Sequence, residues 1–279
     1  MPDELKIGLA LGGGGARGLG HIVVMEVLDE LGVKVAGISG SSIGALLGMG
    51  YANGMSGKEL RSYALEKFSD RSKVASQLWG LRPSNVQDWF NPKSYTLGQV
   101  DPQKVLSLFT PIDILPERLE DLAIPLSVVT TDYYGWKEAV FTEGNLRELV
   151  AASIAIPMVF KPVRIGERMM IDGNITNPLP FDCLADDINR IIAVDVVGGP
   201  NPSASEIPSG FDSMLGANQI MMQAITNEKL ESQAQPDILI RPPVNEFRVM
   251  DFLKTSTILR VCDKTRDDVK RQISDMLDH

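Results

Sequence analysis

The sequence predicts an α/β fold in which helices cover both faces of a mostly parallel central sheet. Short apolar runs alternate with helical patterns through much of the 279 residues, and strand–helix–strand units produce this order. One late run, INRIIAVDVV, is almost wholly apolar, as expected of a parallel strand buried on both faces. No internal repeat is visible. We therefore expect a three-layer α/β/α architecture, with residues 1–279 forming a single domain.

Hydrophobic periodicity predicts the elements in order. KIGLAL predicts a strand, VVMEVLDELG an amphipathic helix ending at Gly32, VKVAGIS a second strand, and IGALLGMGYANG a second helix. Farther along, IPLSVVTTD and RMMID predict two more strands before the long apolar one. A Met-rich helix (MLGANQIMMQAI) and a charged helix at the C-terminus complete the pattern.

Two stretches interrupt this alternation. Residues 70–116 are rich in turn formers and contain aromatic residues, and residues 198–210 form a polar, proline-rich loop. One interpretation is irregular connections packed by their own side chains. The other is a lid over a site, because long loops in compact domains often cover sites.

Charge and cysteine content exclude several classes of function. Lys and Arg total 27 against 36 Asp and Glu, a net charge of −9, so no general attraction to nucleic acid is expected. Contact with a membrane would need a local apolar surface. Cys183 and Cys262 are far apart and without ligand spacing, so we expect reduced thiols and neither a disulfide framework nor a zinc site. No segment has the pattern of a signal peptide or a spanning helix, which predicts a cytoplasmic protein.

A glycine loop follows the first strand. Residues 12–18 read GGGGARG and precede a predicted helix. Four successive glycines cost more backbone entropy than a simple turn requires, but they leave N–H groups unshielded at a helix N-terminus, where a phosphate or an oxyanion could bind. The loop also contains G-x-G-x-x-G, which in dinucleotide-binding proteins is followed by an acidic residue about 20 positions on. No Asp or Glu occurs between Glu30 and Glu59, which disfavours that alternative.

The second predicted strand runs into GSSIG, residues 40–44, which matches G-x-S-x-G. In a strand–turn–helix context this spacing lifts the central serine hydroxyl above the sheet edge, and the glycines avoid clashes at the turn. The helix that follows favours developing negative charge at the same place. The glycine spacing selects Ser42 as the nucleophile over its neighbour Ser41.

A nucleophilic serine needs a proton acceptor, and histidine is scarce in this chain. His279 is the last residue, and His21 lies in the first turns of the first helix, where we expect a packing role. A carboxylate must act instead. The best candidate is Asp172, at the end of the RMMID strand, although an ordinary Asp-Gly turn is the alternative. Because an ordinary aspartate pKa of about 4 makes a weak base, burial or a like charge would have to raise it.

GGGGARG, GSSIG and a late Asp-Gly, with no histidine to complete a triad, together resemble the patatin-like phospholipase family. The resemblance is closest to compact bacterial members related to the catalytic domain of neuropathy target esterase, and it spans nearly the whole chain. Residues 151–157 (AASIAIP) are similar to the block that precedes the family's Asp-Gly, and Pro178 and Pro180 follow in similar fashion. Two departures are Asn174, where the family often has Gly or Ala, and Met158, where glycine is frequent.

What the resemblance implies is a patatin-like fold with a Ser–Asp dyad formed by Ser42 and Asp172. The backbone N–H groups of Gly13, Gly14 and Gly15 would form the oxyanion hole.

Arg17 matches the family's basic position in the glycine loop and would orient that loop. The implied reaction is hydrolysis of a carboxylic ester of a lipid, of lysophospholipase or phospholipase A type, without a metal or cofactor. The expected partner is the lipid ester, with transient contact to a membrane surface, and residues 70–116 would then be a lid or acyl-chain entrance. Two alternatives stay open: an acyltransferase that uses the same acyl-enzyme, and a lipid-binding regulatory protein without turnover. The head group, the acyl length, the regiochemistry and the oligomeric state are left open.

Overall fold

The computed structural model describes residues 5–69, 100–110, 114–199, 207–232 and 235–278. The strands of the described part are β1 (Ile7–Leu11), β2 (Val35–Ser41), β3 (Leu126–Asp132), β4 (Lys137–Phe141), β5 (Val163–Ile165), β6 (Arg168–Asp172), β7 (Arg190–Val194) and β8 (Ile238–Ile240). Its α-helices are α1 (Gly20–Glu30), α2 (Ile43–Ala52), α3 (Gly57–Ser69), α4 (Pro102–Phe109), α5 (Leu146–Ser153), α6 (Gly210–Ser232), α7 (Thr255–Cys262) and α8 (Arg266–Leu277).

The strands form one sheet in the order β5-β6-β3-β2-β1-β7-β8, and β4 also pairs with β3. The neighbours from β3 through β2, β1 and β7 to β8 are parallel, whereas β4, β5 and β6 join by antiparallel pairing. The predicted mostly parallel α/β sheet is confirmed, as are the strands and helices read from periodicity. The sequence patterns missed β4, β5 and β8, because three-residue strands such as β5 and β8 are too short to show a period.

Two apolar clusters on opposite faces of the sheet define the three layers. Leu9 and Leu11 of β1 belong to the larger cluster, together with residues of α1, α2, α5, α7 and α8. Ala10, between them, belongs to a smaller cluster that also includes Leu179 and is packed by Leu230 of α6. Since successive side chains of a strand point to opposite faces, α6 covers one face and the other helices cover the opposite one.

The register on β3 explains how two distant segments meet. β2 pairs with the first half of β3, ending with Ser41 opposite Val129. β6 pairs with the second half, with Asp172 opposite Thr130. Because β4 occupies the other edge of β3 along residues 128–132, β2 and β6 share one edge and point their C-terminal ends at each other. The residues that follow Ser41 therefore face Asp172.

In the part of the chain that the structure describes, no helix is both long and apolar enough to cross a bilayer.

Candidate active site

The turn after β2 has the geometry of a nucleophile elbow. Ser42 has a φ of 53° and a ψ of −122°, a left-handed conformation that is uncommon for a residue with a side chain. A Cβ on Gly40 would lie 2.6 Å from the backbone nitrogen of Ala45, and a Cβ on Gly44 would lie 2.1 Å from the carbonyl oxygen of Leu11. Both glycines of G-x-S-x-G are therefore required sterically, because backbone atoms occupy the space of a side chain.

The structure brings Ser42 and Asp172 together. The Ser42 hydroxyl donates a hydrogen bond to Oδ2 of Asp172 at 2.8 Å, and both residues are buried. The other carboxylate oxygen, Oδ1, accepts from the backbone N–H of Asn174 at 2.8 Å. Ser41, the competing serine, donates instead to the carbonyl oxygen of Asn177 at 2.5 Å, so its hydroxyl proton is already used in a hydrogen bond to the backbone.

Burial raises the pKa of the Asp172 carboxyl to about 7, because the charged form loses its hydration. The hydrogen bonds from the Asn174 N–H and the Ser42 hydroxyl lower this pKa, but by less than burial raises it. Such a rise in pKa is needed if Asp172 is to accept a proton from a serine. A carboxylate with a pKa close to neutral is in the range in which general bases work best.

Ser153, at the C-terminal end of α5, holds the backbone of the nucleophile. Its hydroxyl accepts a hydrogen bond from the Ser42 N–H at 2.9 Å and donates one to the carbonyl oxygen of Val129 at 2.6 Å. The side chain is fully buried, so water cannot replace either contact. The sequence patterns did not predict this role, although Ser153 lies within the AASIAIP block that carried part of the resemblance.

The glycine loop lies beside the elbow, and its first N–H groups are already engaged. Gly12 donates to the carbonyl oxygen of Val194 and Gly13 to that of Pro178, both at 3.0 Å. The Gly13 N–H, expected to belong to an oxyanion hole, is therefore committed within the fold. For Gly14 and Gly15, no hydrogen bond of the backbone N–H is found within the described residues, so these two remain the candidate donors.

Close packing also explains the glycines of this loop. A Cβ on Gly14 would lie 2.3 Å from the carbonyl oxygen of Val196, and one on Gly15 would lie 2.3 Å from that of Val249. Gly15 additionally has a φ of 60°. No other residue type could follow this path without moving the neighbouring backbone.

Arg17 ties the glycine loop to two other segments. Its Nε donates to the carbonyl oxygen of Phe247 at 2.7 Å, one terminal nitrogen donates to that of Val197, and the other is 3.4 Å from that of Gly199. The guanidinium is buried, which lowers the pKa of Arg17 to about 10. Arg17 thus contacts backbone on the β7 side of the loop, and its guanidinium supports the loop.

The patatin-like phospholipase family model matches residues 9–185, a span that contains the glycine loop, the elbow and Asp172. The chain belongs to the patatin-like phospholipase family.

Several proteins are similar to this chain. An uncharacterized NTE family protein of Mycobacterium tuberculosis is 35% identical over 194 residues, which cover 69% of this chain and 49% of that protein. The lysophospholipase NTE1 of Yarrowia lipolytica is 27% identical over 283 residues (92% of this chain and 19% of that protein). Among solved structures, VipD from Legionella pneumophila has 16% identity and a TM-score of 0.46, covering 94% of this chain and 67% of that one. The chain spans half or less of the curated relatives it matches.

His21 lies outside the hydrogen-bond network of the candidate dyad of this patatin-like domain. Its Nε2 lies 2.8 Å from the carbonyl oxygen of Gly12, so this nitrogen carries the proton and donates. Complete burial lowers the pKa of His21 to about 4, which keeps the imidazole neutral near pH 7. The expected packing role fits this geometry.

The two departures from the patatin-like pattern occupy defined places. The Asn174 amide fills the space above Gly13, where an added Cβ would lie 1.8 Å from Asn174 Oδ1. This oxygen is buried without a hydrogen-bond partner among the described residues. Met158 has a φ of 70°, a conformation that glycine adopts more readily than a residue with a side chain.

A cleft of about 460 Å³ opens one strand beyond the glycine loop, at the carboxyl ends of β7 and β8. Its lining includes Asp195, Gln219 and Arg241 but neither Ser42 nor Asp172.

The predicted lid, residues 70–116, lies largely outside the described residues, which include only 100–110 and 114–116 of it.

Proposed function

We propose that this chain hydrolyses carboxylic esters of lipids, in the manner of a lysophospholipase or phospholipase A, through a dyad of Ser42 and Asp172. The observation that carries the proposal is the 2.8 Å hydrogen bond from the Ser42 hydroxyl to an Asp172 carboxylate whose pKa burial raises to about 7. Family membership and the similarity to the lysophospholipase NTE1 of Yarrowia lipolytica support the lipid ester as substrate.

In the proposed first half-reaction, the Asp172 carboxylate accepts the proton of the Ser42 hydroxyl while Oγ attacks the acyl carbonyl carbon. The carbonyl oxygen becomes an oxyanion, which the N–H groups of Gly14 and Gly15 would stabilise. One such donor commonly contributes a factor of about 10²–10³ in rate. The tetrahedral intermediate then expels the alcohol, which takes the proton from Asp172 and leaves an acyl-Ser42 ester.

In the second half-reaction, Asp172 accepts a proton from water as the water oxygen attacks the acyl-enzyme. Collapse of the second intermediate breaks the bond to Ser42 Oγ, which recovers its proton from Asp172, and releases the fatty acid. An alcohol in place of water would give acyl transfer by the same steps, so product analysis with and without an added alcohol separates the hydrolase from the acyltransferase.

A substrate panel tests the proposal. Short p-nitrophenyl esters, lysophospholipids and diacyl phospholipids are assayed with wild type, Ser42→Ala and Asp172→Ala, and a fluorophosphonate reports the reactive serine. We expect turnover and stoichiometric labelling in wild type and loss of both in Ser42→Ala. Near-normal turnover in Asp172→Ala, or absence of labelling in wild type, would overturn the dyad.

The cytoplasmic location stays a prediction, which fractionation of cells producing the full-length protein would test.

A further inference from the structure

We propose that the turn between β3 and β4 is a docking site for a lipid bilayer and holds the candidate dyad close to the membrane surface. The aromatic turn, defined here by Tyr133, Tyr134 and Trp136, has no task in the reaction described above. The proposal rests on the proposed function, since it supplies the surface from which a lipid ester would be taken.

The three aromatic side chains are exposed to a degree that packing within the described part of the chain does not explain. Their exposed fractions are 52% for Tyr133, 76% for Tyr134 and 90% for Trp136. Tyr133 and Tyr134 contact each other edge to face, with ring centroids 5.0 Å apart. Tyr and Trp combine a large apolar ring with a polar atom, and such residues are enriched where a protein meets the membrane–water interface.

The backbone of the turn holds Trp136 in this position at a conformational cost. Trp136 has a φ of 54°, a region in which Gly, Asn or Asp is usual and a bulky residue is a genuine outlier. The turn is fixed from the inside, because the Gly135 N–H donates to the buried Asp132 carboxylate at 2.9 Å. A strained and almost fully exposed tryptophan indicates a binding role.

The aromatic turn follows the carboxyl end of β3, the strand with which the segments that carry both dyad residues pair. On β3, Val129 is opposite Ser41 and Thr130 is opposite Asp172. The strand continues to Asp132 and then enters the turn. With a rise of about 3.3 Å per residue, the turn begins about 10 Å beyond the level of Asp172. A membrane against the turn would therefore lie close to the level of Asp172, at the carboxyl end of β3.

The exposed charges around the aromatic turn complement the phosphate groups of lipids. Lys137 follows Trp136 directly and is exposed. The adjoining β5–β6 hairpin, joined to the turn by the Tyr133 N–H bond to Met169, exposes Arg164 and Arg168 against one exposed acid, Glu167. This excess of positive charge stands out in a chain with a net charge of −9, and bilayers attract such basic residues close to aromatic anchors.

The test uses one double variant and a matched control. Tyr134→Ser with Trp136→Asn removes the two most exposed rings, and asparagine tolerates the left-handed φ at position 136, so the fold is not weakened. The control is Leu5→Asn. Leu5 is 46% exposed and precedes the amino end of β1, whereas Ser42 follows the carboxyl end of the parallel strand β2.

Wild type, the double variant and the control are sedimented with vesicles of phosphatidylcholine and phosphatidylglycerol, and turnover is measured on lysophospholipid in vesicles and on a monomeric p-nitrophenyl ester. We expect the double variant to lose vesicle binding and vesicle turnover by about tenfold or more, with unchanged monomeric turnover, and the control to match wild type. Wild-type-like vesicle binding by the double variant, or no vesicle binding by wild type, overturns the docking site. Failure of the proposed function shows separately, as vesicle binding without turnover of either ester.

Discussion

The kcat/KM of this chain on a monomeric ester should rise with pH up to about 7 and level off above it. A general base acts only in its ionised form, and burial raises the pKa of Asp172 to about 7. Below that pH the protonated fraction grows, so kcat/KM should fall about tenfold for each pH unit. His21, with its pKa lowered to about 4, is neutral throughout this pH range and adds no second slope to the pH profile of kcat/KM.

The same pKa shift has a consequence for stability. In the unfolded chain the Asp172 carboxyl ionises near its ordinary pKa of 3.8, whereas in the folded chain it keeps its proton up to about 7. Between these values the folded state binds the additional proton, so the free energy of unfolding decreases as pH rises, by about 1.4 kcal/mol per unit. The accumulated loss above pH 7 is on the order of 4 kcal/mol.

Asp172→Asn isolates this contribution, because an amide does not ionise. Its oxygen can still accept from the Asn174 N–H, and its nitrogen can donate to the Ser42 hydroxyl oxygen. We expect an inactive variant whose free energy of unfolding, relative to wild type, increases by about 2–3 kcal/mol between pH 5 and pH 8. Urea denaturation at both pH values and a pH-stat assay give the two measurements. A flat kcat/KM from pH 5 to pH 8, or parallel stabilities of variant and wild type, would refute the reasoning.

Two further substitutions test the parts that position the site. Ser153→Ala leaves the buried Ser42 N–H unpaired, which costs about 1–3 kcal/mol. Ser153→Ala should lower kcat more than tenfold at constant KM. The control Ser39→Ala removes an equally buried hydroxyl, which donates to the carbonyl oxygen of Pro180, and should lower only the melting temperature. Equal losses of kcat in the two variants would contradict a positioning role for Ser153. In Arg17→Lys, the lysine ammonium cannot contact both segments that the guanidinium contacts. We therefore expect the free energy of unfolding to fall by about 3 kcal/mol and the rate of fluorophosphonate labelling to fall as well. An unchanged labelling rate would exclude a role for Arg17 in positioning the glycine loop.

The approximate position of both dyad candidates followed from the sequence, but the reason they meet did not. Ser42 was predicted from the glycine spacing at a strand end, and Asp172 from the scarcity of histidine. The expectation for Asp172 relied on an open parallel sheet. In the structure β6 is antiparallel to β3, and Asp172 reaches Ser42 because β2 and β6 share one edge of β3. No local pattern encodes that arrangement, since it depends on pairing between Thr130 and Asp172 and between Ser41 and Val129, which are far apart in the sequence.

The glycine loop departs in one donor from what the resemblance implied. The resemblance implied an oxyanion hole of three N–H groups, but the N–H of Gly13 donates to the carbonyl oxygen of Pro178. Gly14 and Gly15 are required by the close approach of Val196 and Val249 as well. A run of glycines therefore reports how tightly backbone segments approach one another. It does not report how many of their N–H groups face a ligand, which depends on residues 160 or more positions away.

Sequence propensities could not predict where the backbone is strained. Strain marks residues whose contacts in the fold outweigh the backbone conformation that their residue type prefers. Within the described residues, the non-glycine residues with positive φ are Ser42, Trp136 and Met158, and each such conformation costs on the order of 1 kcal/mol or more. At Ser42 the cost is offset by hydrogen bonds from its N–H to Ser153 and from its hydroxyl to Asp172. Among the described residues, no hydrogen bond of the Trp136 side chain offsets the cost there, and the ring is almost fully exposed. Strain that hydrogen bonds offset at Ser42 keeps a nucleophile in place, and strain at an exposed Trp136 is the reason to look for a surface that its ring binds.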